Sequence, residues 1–293
     1  VCGIVGLHLR DPELFPRLGR LLETMVGGVV ERGPDSAGVA IYGDRRRCPE
    51  GYAAISVLAR DVALDLPGLL VTEAGDTTVL AAPMPPDALV LAVRTALPDA
   101  TVVGTGTDLT VYKGTGDPRT LAGTYDLANA TGWQGLAHTR MATESAVTPE
   151  GCHPFSVGPD QCLVHNGSFA NHATIRRELQ AAGHVFDSAN DSEVGARFVA
   201  DRLARGEDLD KALRLLCERF DGFYTLLVTS ADGFAVVRDA IACKPAIIAE
   251  TDRWVAMASE FRALAELPSV ESARLYEPEP ERVYHWTREG VRL

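Results

Sequence analysis

An α+β fold is what this sequence predicts, and two kinds of stretch predict it. Short apolar runs such as 3–7, 135–138, 162–164 and 223–229 are bounded by glycine, aspartate, serine and asparagine, the pattern of strands. Longer stretches from residues 13, 171, 192 and 209 carry helical spacing, caps or stop signals. At 293 residues, with 46% hydrophobic and 23% charged content, the chain supports a substantial core. Its net charge of -12 argues against sequence-independent binding to nucleic acid or to an anionic membrane, both of which need basic surfaces. No apolar run approaches the ~20 residues of a membrane span, and no basic-then-apolar leader opens the chain, so a cytoplasmic location is expected. The six cysteines form no C-x-x-C pair and are sparse for a disulfide framework, which fits a reducing compartment.

In order, Cys2-Gly3-Ile4-Val5-Gly6-Leu7 reads as a strand that begins on a thiol, and packing explains such a cysteine as readily as chemistry does. Leu14, Leu18, Leu21, Leu22, Met25 and Val29 then predict a helix over 13–30 with Asp11 as cap. Arg32-Gly33-Pro34-Asp35-Ser36 is a loop leading into a strand at 39–42. Between 43 and 133 the pattern gives strands near 69–72, 78–81, 101–103 and 109–112, helices at 86–96 and 118–127, and a hairpin turn at Gly104-Thr105-Gly106-Thr107. That section reads as a small α+β insertion without a catalytic cluster.

Polar density then rises. Strands at 135–140 and 161–165 end on His138-Thr139-Arg140 and His165-Asn166-Gly167, with Gly151-Cys152-His153-Pro154-Phe155 as a loop between them. Asn-Gly is a hairpin signal; equally, an asparagine amide and a glycine N–H are two donors suited to an oxyanion. His138, Cys152, His153, Cys162 and His165 match no metal-ligand spacing, so no metal site is assigned. Further on, a helix covers 171–182. Asp191 or Ser192 is the natural cap of the next one, with Glu193 in its first turn. A helix at 209–220, strands at 223–229, 234–238, 246–249 and 254–258, a helix at 259–267 capped by Ser259, and a strand at 283–286 complete the chain.

Taken together and in order, Cys2-Gly3-Ile4-Val5-Gly6, Arg32-Gly33-Pro34-Asp35-Ser36-Ala37-Gly38, His138-Thr139-Arg140, His153-Pro154-Phe155, His165-Asn166-Gly167 and Asp191-Ser192-Glu193 resemble the class II glutamine amidotransferases. This family includes the glutaminase domains of glucosamine-6-phosphate synthase, amidophosphoribosyltransferase and glutamate synthase. The resemblance covers residues 1–293 except the insertion at about 43–133. It implies a four-layer αββα sandwich of the N-terminal-nucleophile type. It implies Cys2 as nucleophile, Asn166 and Gly167 as oxyanion donors, Arg140 on the substrate α-carboxylate and Asp191 on its α-ammonium. Thr143 falls at a substrate-side position, and Arg32 supports the nucleophile. The family uses the cysteine's own α-amine as base, so Val1 is expected to be removed. Met141 and Glu144 depart from the family's usual tryptophan and histidine, and no role is carried over to Glu144.

The resemblance further implies a free-standing subunit that supplies ammonia to glutamate synthase-like partners, most closely the small subunit of N-methylglutamate synthase. Any FMN or iron–sulfur cluster would sit on those partners and none on this chain. Two other functions stay open from the sequence: hydrolysis of a different amide, and a non-catalytic regulatory subunit that binds glutamine or glutamate.

Overall fold

The computed structural model describes residues 2–141 and 147–288. Its fifteen strands are β1 (Gly3–Leu9), β2 (Ser36–Tyr42), β3 (Ala53–Leu58), β4 (Leu70–Ala74), β5 (Thr77–Ala82), β6 (Thr101–Gly106), β7 (Leu109–Thr115), β8 (Gln134–Arg140), β9 (Cys162–Phe169), β10 (Gly222–Thr229), β11 (Gly233–Arg238), β12 (Ile247–Glu250), β13 (Trp254–Ala258), β14 (Arg274–Tyr276) and β15 (Tyr284–Thr287). The helices are α1 (Leu18–Gly27), α2 (Pro86–Ala96), α3 (Pro118–Thr124), α4 (His172–Ala181), α5 (Asp191–Ala204) and α6 (Leu209–Arg219).

These strands make a seven-stranded sheet, β14-β12-β13-β1-β8-β2-β7, and two four-stranded sheets, β15-β11-β10-β9 and β4-β5-β3-β6. Alternation of side chains along each strand gives the seven-stranded sheet and the β15-β11-β10-β9 sheet two apolar faces each. Val5, Leu7, Val39 and Ile41 face outward against Leu18, Leu22 and Met25 of α1. Ile4, Ala40, Leu136 and Met257 face inward against Val164, Leu227 and Val236 of the second sheet. The far face of that sheet, with Leu163, Leu226 and Val237, packs on Ile175 of α4, Val194 and Phe198 of α5 and Leu213 of α6. Three stacked apolar layers therefore hold helix, sheet, sheet and helix in order, the expected αββα sandwich. Within the stretch 43–133, residues of β3, β5, β6 and α2 build a separate core around Ile55, Leu80, Leu89 and Val93. In contrast, β7 pairs with β2 in the seven-stranded sheet.

Local departures from the sequence expectations have physical causes. The stretch expected as a helix from 13 begins as a 3-10 turn over Pro12–Arg17 because Pro16 lacks the N–H an α-helix needs there. Asp11 does cap it, accepting from the Glu13 N–H. The glycines at 104 and 106 lie inside β6, so the expected hairpin is a crossing from one sheet to another. Gly106 leaves room for the Asp160 carboxylate, which accepts the backbone N–H groups of Thr107, Asp108 and Leu109. The strand β3, absent from the sequence reading, is an alanine-rich apolar run. No helix of the described residues is long and apolar enough to cross a membrane.

Candidate active site

The nucleophile candidate sits at the edge of the sandwich, just before β1. β1 lies between β13 and β8, so its first residues are bordered by Ala258 on one side and Thr139 on the other. The Cys2 carbonyl oxygen accepts two hydrogen bonds, from Arg32 Nε at 3.0 Å and from Asn166 Nδ2 at 3.1 Å. Arg32 is held in turn by Glu260 Oε1 at 2.9 Å. Ser259, expected as a helix cap, instead donates to and accepts from β1: its hydroxyl takes the Ile4 N–H and its own N–H goes to the Ile4 carbonyl, both at 2.9 Å. With its hydroxyl spent there, only a 3-10 turn over Phe261–Ala263 follows, where a longer helix was expected.

Burial raises the pKa of the Cys2 thiol, but a hydrogen bond and charge from His138, joined by the Met141 backbone, outweigh it and bring the group down to about 7. A thiol so placed is substantially ionised near neutrality, unlike Cys48 and Cys162, which burial pushes up to about 12.

Asn166-Gly167 lies in the middle of β9, opposite Thr225 and Tyr224 of β10, so the pair is not the turn its sequence suggests. Asn166 is buried, and its amide is oriented from both ends. Its Oδ1 meets His138 Nε2 at 3.1 Å, while Nδ2 donates to Cys2. Since a carbonyl oxygen only accepts, His138 must carry its proton on Nε2. The amide nitrogen has two N–H groups: one donates to Cys2, and the Ser259 hydroxyl accepts from the same nitrogen at the longer distance of 3.4 Å. Gly167 adopts φ +130, and a Cβ there would collide with the Phe223 carbonyl oxygen, so only glycine fits.

Arg140 closes β8, and its Nη1 donates to the Gly151 carbonyl at 3.2 Å. The same carbonyl accepts from Asn190 Nδ2 at 3.4 Å, which brings Arg140 to the N-terminal end of α5. Asn190, rather than Asp191 or Ser192, is the cap of α5, its Oδ1 accepting from the Ser192 N–H at 2.9 Å. Asp191 is thereby freed from capping. Its Oδ2 accepts the Phe169 N–H at 2.8 Å, two residues beyond Gly167 on β9.

The structure therefore joins Cys2, Arg32 and Asn166 directly, sets Gly167 beside them, and links Arg140 to Asp191 through Gly151 and Asn190. Thr143 and Glu144 lie outside the described residues, as does Val1. Sequence reasoning placed Ser192, Ser259 and Glu260 in stretches like the family's but gave them no role at the site, because their partners are remote in the chain. The histidines once weighed as metal ligands spend their nitrogens otherwise: His138 on Asn166, and His153 and His165 on Ser192. Among the described residues no group of three His, Cys, Asp or Glu is placed to hold a metal ion.

An αββα sandwich with an ionisable cysteine just before its first strand has the fold of the N-terminal-nucleophile class. Comparison with known proteins narrows this. A glutamine amidotransferase domain model matches residues 138–266. Over 98% of both chains the protein is 46% identical to the glutamine amidotransferase-like protein GlxB of Rhizobium meliloti. It is 30% identical to a putative glutamine amidotransferase of Methanothermobacter thermautotrophicus, over 97% of this chain and 99% of that one. The glutamine phosphoribosylpyrophosphate amidotransferase of B. subtilis, solved with ADP and GMP, superposes on 99% of this chain and 48% of its own, with TM-score 0.65 at 17% identity. The chain thus spans about half of that protein and shares its fold. It belongs to the class II glutamine amidotransferase family.

Proposed function

We propose that this protein hydrolyses the side-chain amide of glutamine through a thioester on Cys2 and delivers the ammonia to a partner synthase subunit. The observation that carries the reading is the Asn166 amide, fixed beside the nucleophile by His138, by the Cys2 carbonyl and, at 3.4 Å, by the Ser259 hydroxyl.

In this reading the Cys2 thiolate attacks the glutamine amide carbon. A C–S bond forms, and the electron pair moves to the amide oxygen. That oxyanion is met by Gly167 and by the Asn166 N–H that exchanges its 3.4 Å contact with the Ser259 hydroxyl for the new charge. The tetrahedral species collapses with cleavage of C–N, and ammonia leaves with a proton. Water then attacks the thioester, returning the thiol and releasing glutamate. The proton carrier is the α-amine of Cys2, whose ordinary pKa of about 7.7–8.0 suits transfer near neutrality. An amide to Val1 would remove that base, so the active form is the one that begins at Cys2.

Arg140 holds the substrate α-carboxylate with its planar fork, and Asp191 holds the α-ammonium. Thr143 adds a substrate contact, and Arg32 fixes the Cys2 carbonyl. Residues 1–293 act as one glutamine amidotransferase type-2 domain with an insertion at about 43–133. The partners are glutamate synthase-like subunits, as in an N-methylglutamate synthase complex, and they carry any FMN or iron–sulfur cluster.

Glutamate release from glutamine, measured with and without Cys2→Ala, tests the core of this reading. Release by the wild type and none by the variant is the expected outcome. Equal release by both would remove Cys2 from the chemistry. Glutamine binding without turnover, even with co-purified partners present, would make the chain a regulatory binder.

A further inference from the structure

Behind Asp191 lies a buried group of three side chains that the glutaminase reading does not use. Ser192, the second residue of α5, has its hydroxyl between two imidazoles, with His153 Nε2 and His165 Nδ1 each at 2.9 Å. The same hydroxyl is 3.4 Å from Asp191 Oδ1. Ser192, His153 and His165 are all buried. The opposite nitrogen of each ring, His153 Nδ1 and His165 Nε2, is buried without a hydrogen-bond partner.

Counting protons decides who donates. A hydroxyl has one proton to give and two lone pairs to receive with. Were Ser192 to donate to either ring, that ring would have to carry its own proton on the nitrogen that has no partner. A buried N–H would then be orphaned, which is the costlier error. One arrangement avoids it. Both rings donate to the serine oxygen, both bare nitrogens are lone pairs, and the hydroxyl proton is left for Asp191. We propose that Ser192 is a positioning residue for Asp191, its one proton directed onto Oδ1 by the N–H groups of His153 and His165.

Two further observations agree. Burial, aided by the neighbouring His138 charge, pushes His153 well below the ordinary histidine range. Burial likewise brings His165 down to about 4 even though Asp191 opposes the shift, so both rings are neutral in ordinary buffers. Asp191 is then held at both oxygens, by Ser192 on Oδ1 and by the Phe169 N–H on Oδ2. That leaves its remaining lone pairs for the ammonium group of the proposed substrate. The kinetic consequence rests on the proposed role of Asp191; the proton assignment does not.

Two measurements on the full chain separate these. Long-range proton–nitrogen NMR of histidine-labelled protein at about pH 6, just under the ordinary histidine pKa, should show neutral rings, with the proton on Nε2 of His153 and on Nδ1 of His165. A doubly protonated ring or the opposite tautomer at either position overturns the proposal. In turnover, glutamine is compared with glutaramate, which has the same amide and no α-ammonium. Ser192→Ala should lower the kcat/KM ratio of glutamine over glutaramate about tenfold to a hundredfold, as loss of a hydrogen bond to a charged group does, chiefly through KM. Ser192→Thr, which restores a hydroxyl, should recover it. An unchanged ratio overturns the proposal. Absence of turnover of both amides by the wild type sinks the glutaminase reading instead, and the NMR result still decides the proton assignment.

Discussion

Two buried polar regions lie side by side in this sandwich, and they are built on opposite terms. Around Cys2, Asn166 and Asp191, each functional polar group has a named partner, and the partners are themselves fixed. A few residues away, Lys113 is 3% exposed and on the same face of β7 as Leu109 and Val111; its Nζ lies over the ring of Phe155 at 4.5 Å, and among the described residues it makes no hydrogen bond or ion pair. The regions touch through His153, which stacks on His138 at 4.1 Å and meets Phe155 edge-on at 5.0 Å. The paired region fixes the Asn166 amide against Cys2 and His138. Lys113 orders nothing and is destabilised in its charged form, since burial brings it down to about 8. Buried polarity is costly unless it is paired, and the Asn166 and Asp191 side chains of the candidate site are paired where the Lys113 ammonium is not.

That contrast can be broken from either side. The larger effect is expected at Asn166. Asn166→Ala removes the proposed oxyanion donor and should lower kcat for glutamine about 10²–10³-fold, with KM changed much less. A loss confined to KM would place Asn166 in substrate binding alone. The smaller effect is expected at Lys113 and appears in stability. Its depressed folded-state pKa means the unfolded chain binds more protons between about pH 8 and 10.5, so the wild type gains stability as pH rises through that window. Below about pH 8 the cost is fully present. Lys113→Met should therefore stabilise the fold at neutral pH by about 2–3 kcal/mol. The advantage should shrink to nothing above about pH 10.5. Denaturant titrations of both proteins at several pH values read this directly. A destabilised variant at pH 7 would mean that the lysine is compensated and the contrast false.

How much of this was legible in the sequence depends on the range of the interaction. Apolar periodicity placed β1, β8, β9 and the cores of α1 and α5, because which face is buried is a local property. The motif residues named the candidate site, and its geometry followed from the fold. What local reasoning misassigned were polar residues whose partners are distant. Asn-Gly at 166–167 reads as a turn until β10 pairs across it. Ser259 reads as a cap until its hydroxyl is found on Ile4, 255 residues away. Asp191 and Ser192 read as caps, and the structure gives that task to Asn190, leaving Asp191 and Ser192 for the site. Ser, Asn and Asp bond to nearby backbone so readily that a local explanation is always at hand. His138, His153 and His165 were visible only as spacing, and spacing carries no information about which nitrogen holds the proton.

The central claim is that Cys2, freed at its own amine, carries the glutamyl group during turnover. Mass spectrometry of the protein quenched while hydrolysing glutamine tests it in one step. The account predicts a polypeptide that begins at Cys2, with a γ-glutamyl thioester on its first residue. Active protein that still retains residue 1, or that carries the acyl group elsewhere, would contradict it.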